Sequence, residues 1–214
     1  MINYFAHRAK DNHSFKDNSK EAVKNVINKD YIKGIELDIR LTKDKKIVVY
    51  HDPIIILNKQ IKLIREINYI NLYKTNIFLL EDILTNINTN KIIILEIKYE
   101  TKINKEDIKI LINELNKYSL LNLYICSFNT KLIKNIKNNS NLKCGIIVGN
   151  IINRFKNKID FSLIKYNLLF KIKSECFIWL INDKTKLNKI IKKNKFNNLN
   201  IITDNAYKFN STHL

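Results

Sequence analysis

The sequence predicts an α/β fold built on a parallel sheet or a closed barrel. Short apolar runs rich in Ile and Val alternate with longer segments of helical spacing, as expected for buried strands joined by helices. The 214 residues are 45% hydrophobic, which is ample for one core. We find no Pro- or Ser-rich linker and no internal repeat, so we expect a single domain over residues 1–214.

The apolar runs predict nine strands, and the amphipathic segments between them predict three helices. The predicted strands cover residues 4–7, 34–41, 47–51, 91–97, 123–128, 144–148, 161–164, 177–181 and 200–203. The predicted helices cover residues 19–28, 106–115 and 185–191. The Asn- and Lys-rich segments 135–141 and 192–200 indicate surface turns and helix ends.

Charge and cysteine content exclude several classes of protein. The formal net charge is +18, but the cations are almost all Lys and are spread along the chain with Ile and Asn, so nucleic acid is not favoured as a partner. A basic surface also attracts small anions and acidic lipid, which leaves peripheral membrane contact open. No apolar run approaches the ~18 residues of a membrane span, and the amino terminus does not resemble a signal peptide. We therefore expect a cytoplasmic location. The three cysteines form no CxxC pair, so no thiolate zinc site is indicated.

Ionisable side chains stand at the ends of four of the predicted strands. Buried carboxylates are costly unless they are paired or bind a metal, and the carboxyl ends of barrel strands converge on one rim, where active sites lie. We therefore expect a shared polar centre. The side chains in question are His7 and Arg8, Glu36 and Asp38, His51 and Asp52, and Glu96 and Lys98.

The spacing of these residues indicates their chemistry. Residues two apart on a strand point to the same side, which applies to Glu36 with Asp38 and to Glu96 with Lys98. Three carboxylates from two strands offer the oxygen ligands that Mg²⁺ and Ca²⁺ prefer. Two histidines can exchange protons near neutral pH, and the two cations can hold a phosphate.

In their order, these residues resemble the motifs of the glycerophosphodiester phosphodiesterase family. The resemblance extends over about the whole chain and is most specific in the first hundred residues. It departs from the family at Ala9, where the family has glycine. The matching motifs are His7-Arg8-Ala9, Asp17-Asn18-Ser19, the Glu-x-Asp-x-x-x-Thr-x-Asp pattern over 36–44, Val48-Val49-Tyr50-His51-Asp52 and Leu95-Glu96-Ile97-Lys98, with weaker echoes at 127–128, 179–182 and 202–204.

The resemblance implies a TIM-type (β/α)8 barrel and hydrolysis of glycerophosphodiesters to glycerol 3-phosphate and an alcohol. By the resemblance, His7 and His51 are the acid/base pair, and Glu36, Asp38 and Glu96 bind a divalent metal, Mg²⁺ or Ca²⁺. Arg8 and Lys98 contact phosphate, and Phe128 and Trp179 line the pocket, although a plain core role for the two aromatics stays open. The barrel is expected to be compact, with shortened helices, a segment at 167–175 too short for a full helix, and a reduced insertion between His51 and Lys91.

Two other functions stay open at this point. One is a lysophospholipase-D or phospholipase-type phosphodiesterase on the same barrel, acting at a membrane surface. The other is a catalytically degenerate barrel that binds phosphodiesters or other polyanions. The head group, the metal, the assignment of acid and base to the two histidines, the attacking nucleophile and the oligomeric state are not fixed by the sequence.

Overall fold

A computed structural model describes residues 1–11, 14–99, 104–149, 159–168, 175–193 and 198–210. Within these residues the strands are β1 (Ile2–Ala6), β2 (Ile32–Leu41), β3 (Ile47–Val49), β4 (Ile54–Leu57), β5 (Gln60–Leu63), β6 (Phe78–Leu79), β7 (Ile92–Ile97), β8 (Asn122–Ser127), β9 (Lys143–Val148), β10 (Phe161–Lys165), β11 (Glu175–Trp179) and β12 (Leu199–Thr203). The helices are α1 (Lys20–Ile27), α2 (Leu80–Leu84), α3 (Lys105–Asn116), α4 (Thr130–Asn138), α5 (Lys184–Lys193) and α6 (Ala206–Asn210).

Eight parallel strands close into a barrel, which confirms the predicted TIM-type fold. The barrel runs β1-β2-β7-β8-β9-β10-β11-β12 and closes where β12 pairs with β1. The closing register sets Ile2 opposite Leu199 and Ala6 opposite Thr203. Closure therefore pairs the first barrel strand with the last one, which lies almost 200 residues later in the sequence.

All nine predicted strands are present, but the strand predicted at 47–51 is not a barrel strand. It is β3, which pairs antiparallel with the end of β2. The reason is the length of the connection, because residues 42–46 can form a reversal but not a crossover to a parallel strand. The ten-residue β2 extends past the barrel rim and supplies the edge on which β3 pairs.

The barrel interior is filled by large side chains that alternate with outward-facing ones. Phe5 packs edge-on against Phe177 with 4.9 Å between the ring centroids, and Phe161 packs edge-on against the same Phe177 ring with 5.7 Å between the centroids. Two strand glycines make room for these rings, since a Cβ at Gly34 would lie 2.6 Å from Phe5 and one at Gly145 would lie 2.5 Å from Phe161. The floor beneath the carboxyl rim is therefore solid and apolar.

The longer helices pack an apolar face on the barrel, and α1, α3 and α4 begin at side-chain caps. Ser19 Oγ accepts a hydrogen bond from the Ala22 amide at the start of α1, and Asn129 Oδ1 accepts one from Leu132 at the start of α4. Helix α4 was not predicted. Between β10 and β11 the structure shows a single 3-10 turn at Tyr166–Leu168, and the rest of that connection, residues 169–174, lies outside the described residues.

The connection between β3 and β7 folds into a small subdomain beside the rim. Strands β4 and β5 form an antiparallel hairpin, and β6 pairs with β3. Val48, Ile64, Ile67, Leu72 and Ile77 form a separate apolar cluster beneath it. None of the described helices is long and apolar enough to cross a membrane.

Candidate active site

Three buried carboxylates meet at the carboxyl rim of the barrel. Glu36 and Asp38 lie on β2 and Glu96 lies on β7, with Asp38 opposite Glu96 in the strand register. One oxygen of each lies within 4.8 Å of the others, and all three residues are buried. The predicted cluster of Glu36, Asp38 and Glu96 is thus brought together by the fold.

The cluster is held by bonds from the segment that follows β1. The Asn18 amide group donates to Asp38 Oδ2 at 2.8 Å, and its carbonyl accepts from the Asp38 backbone at 3.1 Å. The Arg8 backbone donates to Glu36 Oε2 at 2.9 Å. Arg8, Ala9 and Asn18 all have left-handed φ angles, of 52°, 55° and 58°. Ala9 therefore keeps the backbone conformation that favours glycine.

The electrostatics of the cluster fit a divalent cation. Burial and the neighbouring Asp38 charge raise the pKa of Glu36 to about 8, although His7 opposes the shift. Burial also raises the pKa of Glu96, against the opposing charge of Lys98. Glu36 Oε1 is buried with no hydrogen-bond partner among the described residues. A carboxylate oxygen in that position is satisfied by a hard cation, which would also offset the crowded negative charge.

Lys98 and Arg8 border the cluster as cations. Lys98 Nζ lies 2.6 Å from Glu96 and 3.0 Å from Asp38. Arg8 Nε lies 3.2 Å from Asp38, and its Nη1 donates to Asp17 at 3.3 Å. Burial alone would raise the pKa of Asp38, but Lys98 and the bonds described above outweigh it and lower that pKa. The predicted phosphate contacts thus lie beside the predicted metal ligands.

His7 is oriented by Asp204, a residue to which the sequence assigned no role. His7 Nδ1 lies 2.8 Å from Asp204 Oδ1, and His7 Nε2 lies 3.9 Å from Glu36. Asn182 donates to the other Asp204 oxygen at 2.6 Å and accepts from the Asp204 backbone at 2.9 Å. Burial lowers the pKa of His7, but the Asp204 hydrogen bond and the Glu36 charge outweigh it and raise that pKa overall.

His51 reaches the rim from the antiparallel strand β3. The Tyr50 amide donates to the Asp38 carbonyl at 2.9 Å, which fixes the following residue beside the cluster. Arg40, buried on β2, donates from Nε to the His51 carbonyl at 3.0 Å and also from Nη2. The His51 ring lies 2.7 Å from Asp52 through Nδ1. The structure thus brings both predicted histidines to the rim, each with Nδ1 beside a carboxylate.

The two predicted aromatic residues meet at the carboxyl rim and form an aromatic wall there. Phe128 follows β8 and Trp179 ends β11, and their rings meet edge-on at 6.0 Å between centroids. Phe128 is 45% exposed, which excludes a plain core role for it. Trp179 Nε1 is buried with no hydrogen-bond partner among the described residues, so it is a donor available to a bound oxygen.

A cavity of about 270 Å³ opens next to Lys98 and Arg40. Lys45, Arg65 and Tyr99 also line it. The carboxylate cluster therefore adjoins, through Lys98 and Arg40, a cavity lined by four basic and two acidic residues.

Four residues that shape the site had no role assigned from the sequence. Asn18, Arg40, Asn182 and Asp204 act through neighbours that are distant in sequence, up to 197 residues in the case of Asp204 and His7. One sequence signal could have indicated two of them. Asn182 and Asp204 directly follow predicted strands, which is where several of the other rim residues lie. Asn18 lies in the Asp17-Asn18-Ser19 turn that carried part of the resemblance.

A closed parallel barrel with its ionisable groups at the carboxyl rim defines the class of the protein as a barrel enzyme. The model of the glycerophosphoryl diester phosphodiesterase family matches residues 7–155. The chain belongs to this family of phosphoric diester hydrolases.

Solved structures show the same fold over nearly the whole chain. A glycerophosphodiester phosphodiesterase from Thermotoga maritima is 23% identical, with a TM-score of 0.79, over 99% of this chain and 98% of that one. A phosphodiesterase from Oleispira antarctica, solved with the product sn-glycerol-3-phosphate, is 17% identical, with a TM-score of 0.83, over 99% of this chain and 96% of that one. A glycerophosphodiester phosphodiesterase from Parabacteroides distasonis is 18% identical, with a TM-score of 0.78, over 99% of this chain and 96% of that one. Among curated proteins no match is significant.

Proposed function

We propose that the protein hydrolyses glycerophosphodiesters to glycerol 3-phosphate and an alcohol, with Glu36, Asp38 and Glu96 holding a divalent cation and His7 and His51 exchanging protons with the substrate. The observation that carries this proposal is the buried carboxylate cluster flanked by two histidines at one rim. Family membership supports the reaction class, and the product bound to the Oleispira antarctica relative supports glycerol 3-phosphate as the product.

The cation would supply charge that polarises the phosphoryl oxygens and offsets the charge of the transition state. Mg²⁺ and Ca²⁺ both suit three carboxylates. Arg8 and Lys98 add fixed positive charge beside the cluster and would orient the phosphate. Because both are already paired with cluster carboxylates, they are held in place before the substrate arrives.

The orientation of His7 determines which of its nitrogens exchanges protons. Burial raises the pKa of Asp204, but the bonds from His7 and Asn182 outweigh it and lower that pKa, so Asp204 is an ionised acceptor. An ionised carboxylate accepts a hydrogen bond, so His7 Nδ1 carries the hydrogen and donates it to Asp204. This leaves Nε2, on the Glu36 side, as the atom that exchanges protons. Asp52 can orient His51 in the same way, although this pair is more exposed.

We further propose that the two histidines divide the proton transfers. One accepts a proton from the attacking oxygen, and the other donates a proton to the departing alkoxide. The glycerol and head-group portions of the substrate would extend on either side of the phosphate, toward Phe128 and Trp179 and toward the cavity beside Arg40.

The test is release of glycerol 3-phosphate from glycerophosphocholine and glycerophosphoethanolamine in the presence of Mg²⁺ or Ca²⁺. We expect turnover by the wild type, and loss of turnover in His51→Ala with an unchanged circular dichroism spectrum. Substantial residual activity in His51→Ala would remove this histidine from the mechanism. Binding of polyanions without hydrolysis under either metal would instead favour the degenerate barrel.

A further inference from the structure

The β4–β5 hairpin has an apolar outer face that no described residue covers. Its two-residue turn, Asn58 and Lys59, has left-handed φ angles of 50° and 62°, which pairs Ile56 with Ile61 across the strands. Ile56 and Ile61 are each 71% exposed, and Ile54 on the same face is 42% exposed. The outer face of the hairpin is defined by these three isoleucines.

The inner face of the same hairpin is apolar as well, so the exposed outer face is not needed to hold the hairpin on the subdomain. Ile55 and Leu57 alternate with the exposed isoleucines and pack against the apolar cluster beneath the hairpin. One apolar layer is therefore enough to hold the hairpin in place. A β-strand with apolar side chains on both faces normally has a partner on each, so the outer face is an interaction surface rather than part of the core.

The subdomain that carries this face is basic. From residue 54 to residue 79 the subdomain carries Lys59, Lys62, Arg65 and Lys74 against one acidic residue, Glu66. All four basic residues are exposed. Exposed aliphatic side chains on a basic subdomain suit the interface of a bilayer that contains anionic lipid, where the apolar groups enter the acyl boundary and basic side chains contact the headgroups.

The charge of the whole molecule favours a membrane over a second copy of the chain. With a formal net charge of +18, two copies brought together at a basic face would repel each other, whereas an anionic surface would attract the chain over a Debye length. A fluid bilayer also needs no complementary shape to receive a protruding hairpin tip.

The hairpin is fixed next to the candidate active site. Pro53, which directly follows His51 and Asp52, accepts a hydrogen bond from the Ile64 amide at 2.9 Å, so the base of the hairpin is closed beside the catalytic rim. Strand β4 begins at the next residue, Ile54. An enzyme docked through this hairpin would hold its carboxyl rim near the headgroup layer.

We infer that the outer face of the β4–β5 hairpin docks the protein on an anionic phospholipid surface. Ile54, Ile56 and Ile61 enter the interface, and Lys59 in the hairpin turn pairs with a lipid phosphate. The inference concerns binding alone and does not depend on the metal or on either histidine.

The experiment measures co-sedimentation of the full chain with vesicles of phosphatidylcholine alone and with vesicles that contain about one-third phosphatidylglycerol. We expect binding to the anionic vesicles that weakens with salt. The double variant Ile56→Ser/Ile61→Ser should bind at least about fivefold more weakly. Lys59→Gln should also bind about fivefold more weakly, which corresponds to about 1 kcal/mol for one lysine. Because all three substituted side chains are exposed, thermal unfolding of both variants should match the wild type.

Leu120→Ser is the matched control. Leu120 is fully exposed in the loop before β8, at the opposite rim, so this variant should bind as the wild type does. The inference is wrong if the wild type does not bind anionic vesicles, or if the isoleucine variant binds as tightly as Leu120→Ser. It is equally wrong if the wild type is a dimer by light scattering that the isoleucine variant dissociates, because the face would then join two copies.

Discussion

The contact between His7 and Asp204 yields the sharpest prediction about catalysis. In the wild type, Asp204 accepts hydrogen bonds from His7 Nδ1 at 2.8 Å and from Asn182 Nδ2 at 2.6 Å. In Asp204→Asn, the introduced amide must present its oxygen to Asn182, since the Asn182 group is a donor. Its NH₂ group then faces His7 Nδ1 and forces that nitrogen to be an acceptor. The proton of neutral His7 moves to Nε2, the atom proposed to exchange protons with the substrate.

The size of the effect follows from the bond that is lost. A hydrogen bond to a charged group contributes about 1.5–3 kcal/mol, and this one is only partly exposed, at 20% for each side chain. At 1.36 kcal/mol per factor of ten, the loss corresponds to about a 10- to 150-fold fall in kcat/KM. The change of tautomer makes this a lower bound.

Steady-state release of glycerol 3-phosphate measures the loss, and ¹⁵N NMR of the histidine ring reports the tautomer. The pKa of His7 should also fall, because Asp204 is one of the groups that raise it. A raised histidine pKa stabilises the fold below the unfolded pKa, and that contribution disappears as pH rises through the folded pKa. Asp204→Asn should therefore destabilise the protein more at about pH 6 than at about pH 9. Activity within threefold of the wild type, with the Nδ1–H tautomer retained, would refute the proposed orientation of His7.

Three further predictions concern the rest of the site and the barrel. Asp52→Asn should reduce kcat/KM by under about fivefold, less than Asp204→Asn does, because the Asp52 side chain is 62% exposed and solvent screens its pairing with His51. A loss as large as that of Asp204→Asn would show that Asp52 orients His51 as strongly as Asp204 orients His7. Affinity for Mg²⁺ or Ca²⁺, measured by calorimetry, should fall as pH drops below about 8, because a proton on Glu36 competes with the cation; an affinity independent of pH between 6 and 9 contradicts this. In a denaturant titration, Gly34→Ala should lower the free energy of unfolding by about 3 kcal/mol or more, since its Cβ would lie 2.3 Å from the Ile92 carbonyl oxygen. Gly149→Ala is the control, because its Cβ would meet only the Phe128 ring, at 3.1 Å, and it should change the free energy of unfolding by under about 1 kcal/mol.

The fold could be predicted where the apolar pattern is regular. The barrel strands are short Ile-rich runs, and each was found within a few residues of its observed bounds. Helix α4 was missed because its three buried residues, Leu132, Ile133 and Ile136, are separated by Lys and Asn that also compose the surface turns of this chain. The place of β3 outside the barrel was missed because the apolar pattern does not encode strand direction, whereas the length of the preceding connection does.

The site could be predicted where residues follow from strand geometry. The two-residue spacing placed Glu36 with Asp38 and Glu96 with Lys98 on one side of each strand, and the structure has them there. Asp204 and Arg40 were missed for a different reason. Their partners are set by barrel closure and by the antiparallel return of β3, so neither partner can be read from local spacing.

The most direct measurement compares the wild type with Glu36→Ala in one assay, release of glycerol 3-phosphate from glycerophosphocholine with Mg²⁺, with Ca²⁺ and with EDTA. Glu36 contributes a buried oxygen with no other described partner, so its removal should take away the metal site while sparing the apolar floor of the barrel. We predict that the wild type turns over with at least one of the two metals and stops in EDTA, and that folded Glu36→Ala is inactive in all three conditions. Turnover in EDTA, or a Glu36→Ala variant as active as the wild type, would contradict a metal-dependent reaction at this cluster.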